Sequence, residues 1–141
     1  MNTYVKEISR SMKMLSKNKN IWGGIYVATI CPMDENGGIN EDELSNHFID
    51  VMGNEGIVGL LINGHAGENH LLNRDEKRRI VEIARNTIGD KGIIVCGINC
   101  ESSYESQLHT EDAISAGADA IMVFPPFSWS LSLTTKMAII H

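Results

Sequence analysis

In the stretch GIVGLLINGHAGENHLLNRDEKRRIV, Gly56 to Val81, the chain changes periodicity once. Gly56 to Ile62 is continuously apolar and rich in Ile, Val and Leu. A run of that length without polar alternation is what a strand buried on both faces requires. From Asn73 the pattern turns helical. Asn73 and Glu76 stand at capping-box spacing, where the asparagine accepts from an amide of the first turn and the glutamate reaches back. Ile80, Ile83, Ala84 and Ile88 then follow at helical spacing. Between strand and helix lies Gly64-His65-Ala66-Gly67-Glu68, a glycine-bracketed turn. In α/β proteins the carboxyl end of a strand, where it hands over to a helix, is where ligands bind.

The same alternation extends in both directions. Apolar runs recur at GIYVATI (24–30), GIVGLLI (56–62), GIIVCGI (92–98) and GADAIMVF (117–124), each opening with glycine. A helix is predicted from Asn40, with Glu43 at capping-box spacing and Leu44, Phe48, Val51 and Met52 on its apolar face. Another is predicted from Ser102 or Ser103 to Ala116, with a weaker apolar face. Gly53, Gly89 and Gly117 stand where helices should stop, each able to turn left-handed at little cost. Arg74, Lys77, Arg78 and Arg85 are expected on a solvated face of the middle helix, and His70 and His109 at the surface. The resulting βαβαβαβ order fits a doubly wound sheet or a (β/α)8 barrel. Right-handed crossovers would bring Cys31-Pro32, the 64–68 turn, Asn99-Cys100 and Pro125-Pro126 to one rim. No G-x-G-x-x-G follows the first strand, so the dinucleotide fingerprint is missing.

Charge and cysteine content narrow the function classes. The net charge is −6, and residues 1–20 carry +4, leaving −10 for the rest. An acidic body does not suit a nucleic-acid groove, which needs Lys and Arg in excess. Val5, Ile8, Met12 and Leu15 give residues 1–20 a thin apolar face among basic residues. That face reads as a lead-in segment rather than a membrane or targeting helix, and no apolar run is long enough to span a bilayer. Cys31, Cys96 and Cys100 are an odd set without a secretory signal, consistent with reduced thiols and a cytoplasmic location. They are expected to pack as small apolar residues, and no metal or cofactor is expected.

Four motifs in order, GIYVATICPMDENGGIN (24–40), GLLINGHAGENHLLNRDEKRRIV (59–81), IIVCGI (93–98) and AGADAIMVFPPF (116–127), resemble the dihydrodipicolinate synthase / N-acetylneuraminate lyase family over roughly residues 21–130. The resemblance implies a fold: α/β, the N-terminal half, about four βα units, of a (β/α)8 TIM barrel, occupying residues 21–141. It also implies an activity, Schiff-base aldol chemistry on a 2-oxo acid such as pyruvate, hence a lyase making or breaking a carbon–carbon bond.

The resemblance sets expectations residue by residue. The family carries Gly-Thr-Thr-Gly-Glu or Gly-Ser-Thr-Gly-Glu after strand two, where backbone amides hold the substrate carboxylate. The corresponding amides here belong to His65 and Ala66, while Gly64, Gly67 and Glu68 shape the turn, Glu68 by accepting backbone N–H groups. His65 replaces the first hydroxyl of the family's proton relay. An imidazole there is suited to proton transfer near neutral pH, and the bland alternative is a loop histidine that merely packs. The family's relay tyrosine after strand four falls at Phe127 or Ser128, with Trp129 next, so its hydroxyl is missing. Tyr26 and Tyr104 are assigned to packing.

The family's lysine lies on strand six, and the lysines here are Lys6, Lys13, Lys17, Lys19, Lys77, Lys91 and Lys136, none on an apolar strand run. The expectation is therefore a truncated chain, inactive alone. The alternative is a non-enzymatic relic or half-barrel association partner, forming a homo-oligomer or aggregate through open sheet edges. Dihydrodipicolinate synthesis itself is not expected, because the relay hydroxyls are replaced.

Overall fold

The computed structural model describes residues 22–126. The expected lead-in face (Val5, Ile8, Met12, Leu15), the Phe127–Trp129 positions and the segment from Thr134 lie outside the described residues. Within them, β1 (Ile25–Ala28), α1 (Glu41–Met52), β2 (Ile57–Ile62), α2 (Arg74–Ile88), β3 (Ile93–Ile98), α3 (Ser103–Ala116) and β4 (Ala120–Val123) alternate. The strands form one parallel sheet in the order β1-β2-β3-β4. Each parallel neighbour is reached through one helix, the crossover that parallel strands require. This is the half-barrel order expected from the sequence.

The helices begin and end on named contacts. Asn73 Oδ1 accepts from the Glu76 amide at 3.0 Å and Glu76 Oε2 accepts from the Asn73 amide at 2.7 Å, a complete capping box. At α1 only half of the device forms: Asn40 Oδ1 accepts from the Glu43 amide at 3.2 Å. Ser102 caps α3 through the Glu105 amide. Gly117 ends α3 with φ 108° and Gly89 ends α2 with φ 54°, conformations that disfavour any side chain. Gly53 departs from expectation. It stays in the right-handed region at φ −73°, because α1 closes with its amide donating to Ile49 O while Asn54 Nδ2 donates to Asp50 O and Val51 O.

One face of the sheet carries the core. Leu60 pairs with Ile94 and Ile62 with Cys96, and all four are buried with Ile98, Leu44, Phe48, Ile80, Val81 and Ile88. Strand side chains alternate between faces, so every second residue of β2 and β3 meets the helices. The residues between them, Gly59, Leu61, Ile93, Val95 and Gly97, face the other way. Tyr26 lies on that other side over Gly59, where a Cβ would stand 2.9 Å from its ring.

The edges differ from what continuous apolar runs suggested. β1 and β4 are not buried on both faces: Ile25 and Val123 are each 59% exposed. The fourth run also overshoots its strand, since Gly117 and Ala118 belong to the helix end and Asp119 to a link. Asp119 is held there by Oδ2 accepting from the Ile94 amide at 2.8 Å.

Candidate functional site

The strand-two turn is assembled from two left-handed residues around a single 3-10 turn. Asn63 has φ 53° and Glu68 φ 51°, the two positive-φ residues other than glycine among those described. Asparagine tolerates this conformation, whereas glutamate adopts it at a cost that its surroundings must offset. Between them Gly64 is extended and His65–Gly67 forms the 3-10 turn. The amides of Gly67 and Asn69 donate to Gly64 O, and that of Glu68 to His65 O. Glu68 thus shapes the turn through its main chain. The Ala66 amide takes part in none of these bonds. Gly67 sits against β1's exit: a Cβ there would stand 3.1 Å from Thr29 O. Beneath the turn, buried Asn69 donates from Nδ2 to Asn63 O at 2.9 Å. The amides of His65 and Ala66 thus follow one another in a short turn at the carboxyl end of a parallel strand.

His65 is exposed and does not stand alone. Its ring lies 4.6 Å from that of Phe124, tilted by 32°. Phe124 follows β4 and extends the β3–β4 ladder, its amide donating to Ile98 O at 2.9 Å. Cys31 comes to the same rim, close to Gly67. Burial first, then the carboxylates of Glu76 and Glu68, push the Cys31 thiol up. Burial also pushes up Cys100 and brings Cys96 to about 11. All three thiols are therefore protonated near neutral pH and weak as nucleophiles or metal ligands. Among the described residues no group of three His, Cys, Asp or Glu is placed to hold a metal ion. His70 and Tyr104 are exposed. Tyr26 is half-buried, with a hydroxyl that has no partner among the described residues.

A concavity lies on the helix side, between α2 and α3, lined by Asn63, Lys77, Cys96, His109 and Asp112 among others. Its enclosed space, about 10 Å³, is at the lower limit for one water molecule. It corrects two expectations. His109 is half-buried rather than on the surface, and burial, then Lys77 and Arg74, lower its pKa. The basic residues of α2 are not a uniform solvated face. Arg74 pairs with Asp112 of α3. Arg85 donates from Nε and Nη2 to Gly117 O at 3.0 and 2.8 Å and pairs with Asp119. A helix packed between two neighbours uses its longest side chains to bond both the helix end and the strand entry of the next unit.

The profile of the Dihydrodipicolinate synthetase family matches residues 21–137. The chain belongs to the dihydrodipicolinate synthetase family. Among solved members, dihydrodipicolinate synthase from Agrobacterium tumefaciens str. C58 shares 27% identity at a TM-score of 0.75, covering 86% of this chain and 40% of that one. The Clostridium difficile protein CdNal, solved in complex with mannosamine, shares 30% identity at a TM-score of 0.70, covering 84% and 41%. N-acetylneuraminate lyase from Mycoplasma synoviae, at 18% identity, shares the fold at a TM-score of 0.74, covering 84% and 41%. The chain thus spans about two-fifths of the length of these structures. The four-strand sheet with alternating helices matches the N-terminal half of their barrel fold.

Within this family framework the turn, His65 and Cys31-Pro32 come to one rim, as the strand order implied. Several buried polar residues escaped the sequence. Thr29, Asn63 and Asn69 are each at most 3% exposed. The signal was an asparagine ending an apolar run, which reads equally well as the first residue of a solvent-facing loop. The pairing of His65 with Phe124 had no local signal, because the two residues meet only through the β2-β3-β4 order.

Proposed function

We propose that this chain supplies the carboxylate-binding turn of a lyase acting on a 2-oxo acid such as pyruvate. The single observation behind this is the 3-10 turn at His65–Gly67, between two left-handed residues at the carboxyl end of β2, with the Ala66 amide outside the turn's own bonds. There the amides of His65 and Ala66 would bind the carboxylate, and the His65 imidazole would stand where the family's relay hydroxyl stands. Dihydrodipicolinate is not the favoured product, since a histidine cannot repeat a hydroxyl-to-hydroxyl relay at the same reach. A 2-oxo acid handled with imidazole proton transfer suits the position better.

The covalent step is a different matter. An imine requires a lysine whose amine is neutral, and burial on a strand is the usual means of making it so. The described lysines, Lys77 and Lys91, lie on α2 and on the short 3-10 turn Gly89–Lys91 that follows it. No lysine falls within the four apolar strand runs of the sequence, so the 141-residue polypeptide should bind pyruvate weakly and form no imine with it. Borohydride treatment in the presence of pyruvate, followed by intact-mass measurement, checks the second part; an adduct on any lysine of the folded polypeptide would refute it. Titration of 15N-labelled protein with pyruvate checks the first: the Ala66 and His65 amides should shift before others, and shifts clustered elsewhere would remove the site.

A second, non-enzymatic reading, association through the open edges, is favoured by the exposure of Ile25 and Val123 on the two outer strands.

A further inference from the structure

We propose that Phe124 is the positioning residue of His65, and that Gly97 is the spacer admitting the pair. The inference rests on the reading of the strand-two turn as the carboxylate site, and it names what orients the imidazole there. Three independent features meet at this point. The rings of His65 and Phe124 lie 4.6 Å apart, tilted by 32°, a centroid separation inside the range for interacting aromatic rings. The Phe124 backbone is not a loose loop: its amide donates to Ile98 O at 2.9 Å, so the residue is held as an extension of the sheet. Finally, a Cβ on Gly97 would stand 2.3 Å from Asn63 O and 3.0 Å from Phe124 Cε2. The first distance involves backbone and cannot be relieved by a side-chain movement. Position 97 must therefore lack a side chain for the β2 exit and the Phe124 ring to approach β3 together.

The consequence concerns His65 alone. It lies on an exposed turn, where a solvent-facing side chain would sample several rotamers. Stacking on a ring fixed by the β3–β4 ladder selects one of them. The two rings are tilted by 32°, so the contact is not edge-on. Nδ1 and Nε2 lie in the ring plane, so proton transfer at either atom is compatible with the stack. Preorganisation of this kind favours binding by removing an ordering cost from the association step. An aromatic pair contributes about 0.5–1.5 kcal/mol beyond its buried area, equivalent to about a two- to tenfold effect on affinity if the stacked rotamer is the binding one.

The test uses the 141-residue polypeptide and the variants Phe124→Leu, Phe124→Tyr and Gly97→Ala, with pyruvate as probe. In the unsubstituted chain the His65 ring protons should be displaced upfield by the phenyl ring, and three-bond couplings should report a single χ1 rotamer. Phe124→Leu should abolish the displacement and average the couplings, while Phe124→Tyr should restore both. Gly97→Ala should reproduce the leucine variant; should it unfold the chain, the position 124 pair decides alone. A single unaltered His65 rotamer in Phe124→Leu overturns the proposal whatever pyruvate does. Absence of pyruvate shifts at Ala66 in the unsubstituted chain refutes the carboxylate site and leaves the rotamer measurement to decide the role of Phe124. Where pyruvate binds, the leucine variant should bind it about two- to tenfold more weakly, and equal affinity would overturn the link between stack and site.

Discussion

β2 and β3 are built from the same kinds of residue as β1 and β4, yet they occupy different environments. Leu60, Ile62 and Ile94 are fully buried, whereas Ile25 and Val123 are more than half exposed. Composition does not separate the two pairs: IVGLLI and IIVCGI are no more apolar than IYVA and AIMV. What separates them is the number of neighbours. A middle strand is covered along both edges and by the helices. Among the described residues an outer strand has one edge partner, and its other edge presents N–H and C=O groups with no strand beside them. Burial here is a property of position in the sheet, and energetics should follow position rather than residue type.

The largest contrast should appear in the core. Phe48 on α1 is fully buried against the middle of the sheet, and Phe48→Ala should remove about 3–5 kcal/mol of stability. Val123→Ala on β4 should change it by no more than about 0.5 kcal/mol. Urea unfolding of the 141-residue polypeptide, followed by far-UV circular dichroism, measures both. Comparable losses at the two sites would mean that β4 is covered in solution.

That possibility leads to the edges themselves. Neither β1 nor β4 carries a charge or a proline to discourage edge-to-edge pairing; their shortness, four residues each, and the register irregularity between Ile25 and Tyr26 oppose it only in part. The 141-residue polypeptide should therefore self-associate at micromolar concentration, and Ile25→Lys or Val123→Lys should weaken that association by about tenfold or more, since each places a charge on an edge that pairing would desolvate. Sedimentation velocity across a dilution series gives the answer. A concentration-independent, cooperative monomer would show that the open edges are not the controlling surface.

The contrast between inner and outer strands also marks what the sequence could disclose. The strand, turn and helix of the β2–turn–α2 unit were legible as elements, because a capping box, a period change and a glycine bracket all lie within one short stretch. The order of elements followed from repetition of that unit. The exposure of β1 and β4 could not be read from their own apolar runs, which record what a strand would bury and not whether a neighbour is present; it was expected only through the resemblance to half of a closed barrel. The roles of Arg85 and His109 were hidden for a related reason. Each looks solvent-facing along its own helix and is half-buried only once the next unit packs beside it. At the candidate site the turn could be read locally. Its partners could not: Phe124 and Gly97 reach it through strand order, and Asn63 and Asn69 are buried by a backbone that doubles back under itself.

The smallest effect should come from the helix-side cleft, where α2 meets α3. His109 of α3 is half-buried there, facing Lys77 and Arg74 of α2, with Asp112 and Glu105 on its own helix. Burial is the largest influence on it, followed by the two α2 cations; together they outweigh the carboxylates and lower its pKa below the ordinary value of 6.5. A histidine with a depressed folded-state pKa is favoured neutral by folding. Above about pH 6.5 it is neutral in both states and adds no pH dependence. As pH falls below that value the unfolded chain takes up a proton that the folded chain resists, and stability is lost until the folded pKa has been passed. Asp112, held below the usual carboxylate range chiefly by its hydrogen bond from Arg74, loses its contribution only at more acidic pH, so the two groups are separable. Unfolding midpoints measured between pH 7.5 and pH 5 should therefore decline by no more than a one-proton slope from this residue, and His109→Gln should flatten that part of the profile. If the profile of His109→Gln is as steep as that of the unsubstituted chain, the α2–α3 cleft does not hold His109 in the neutral form.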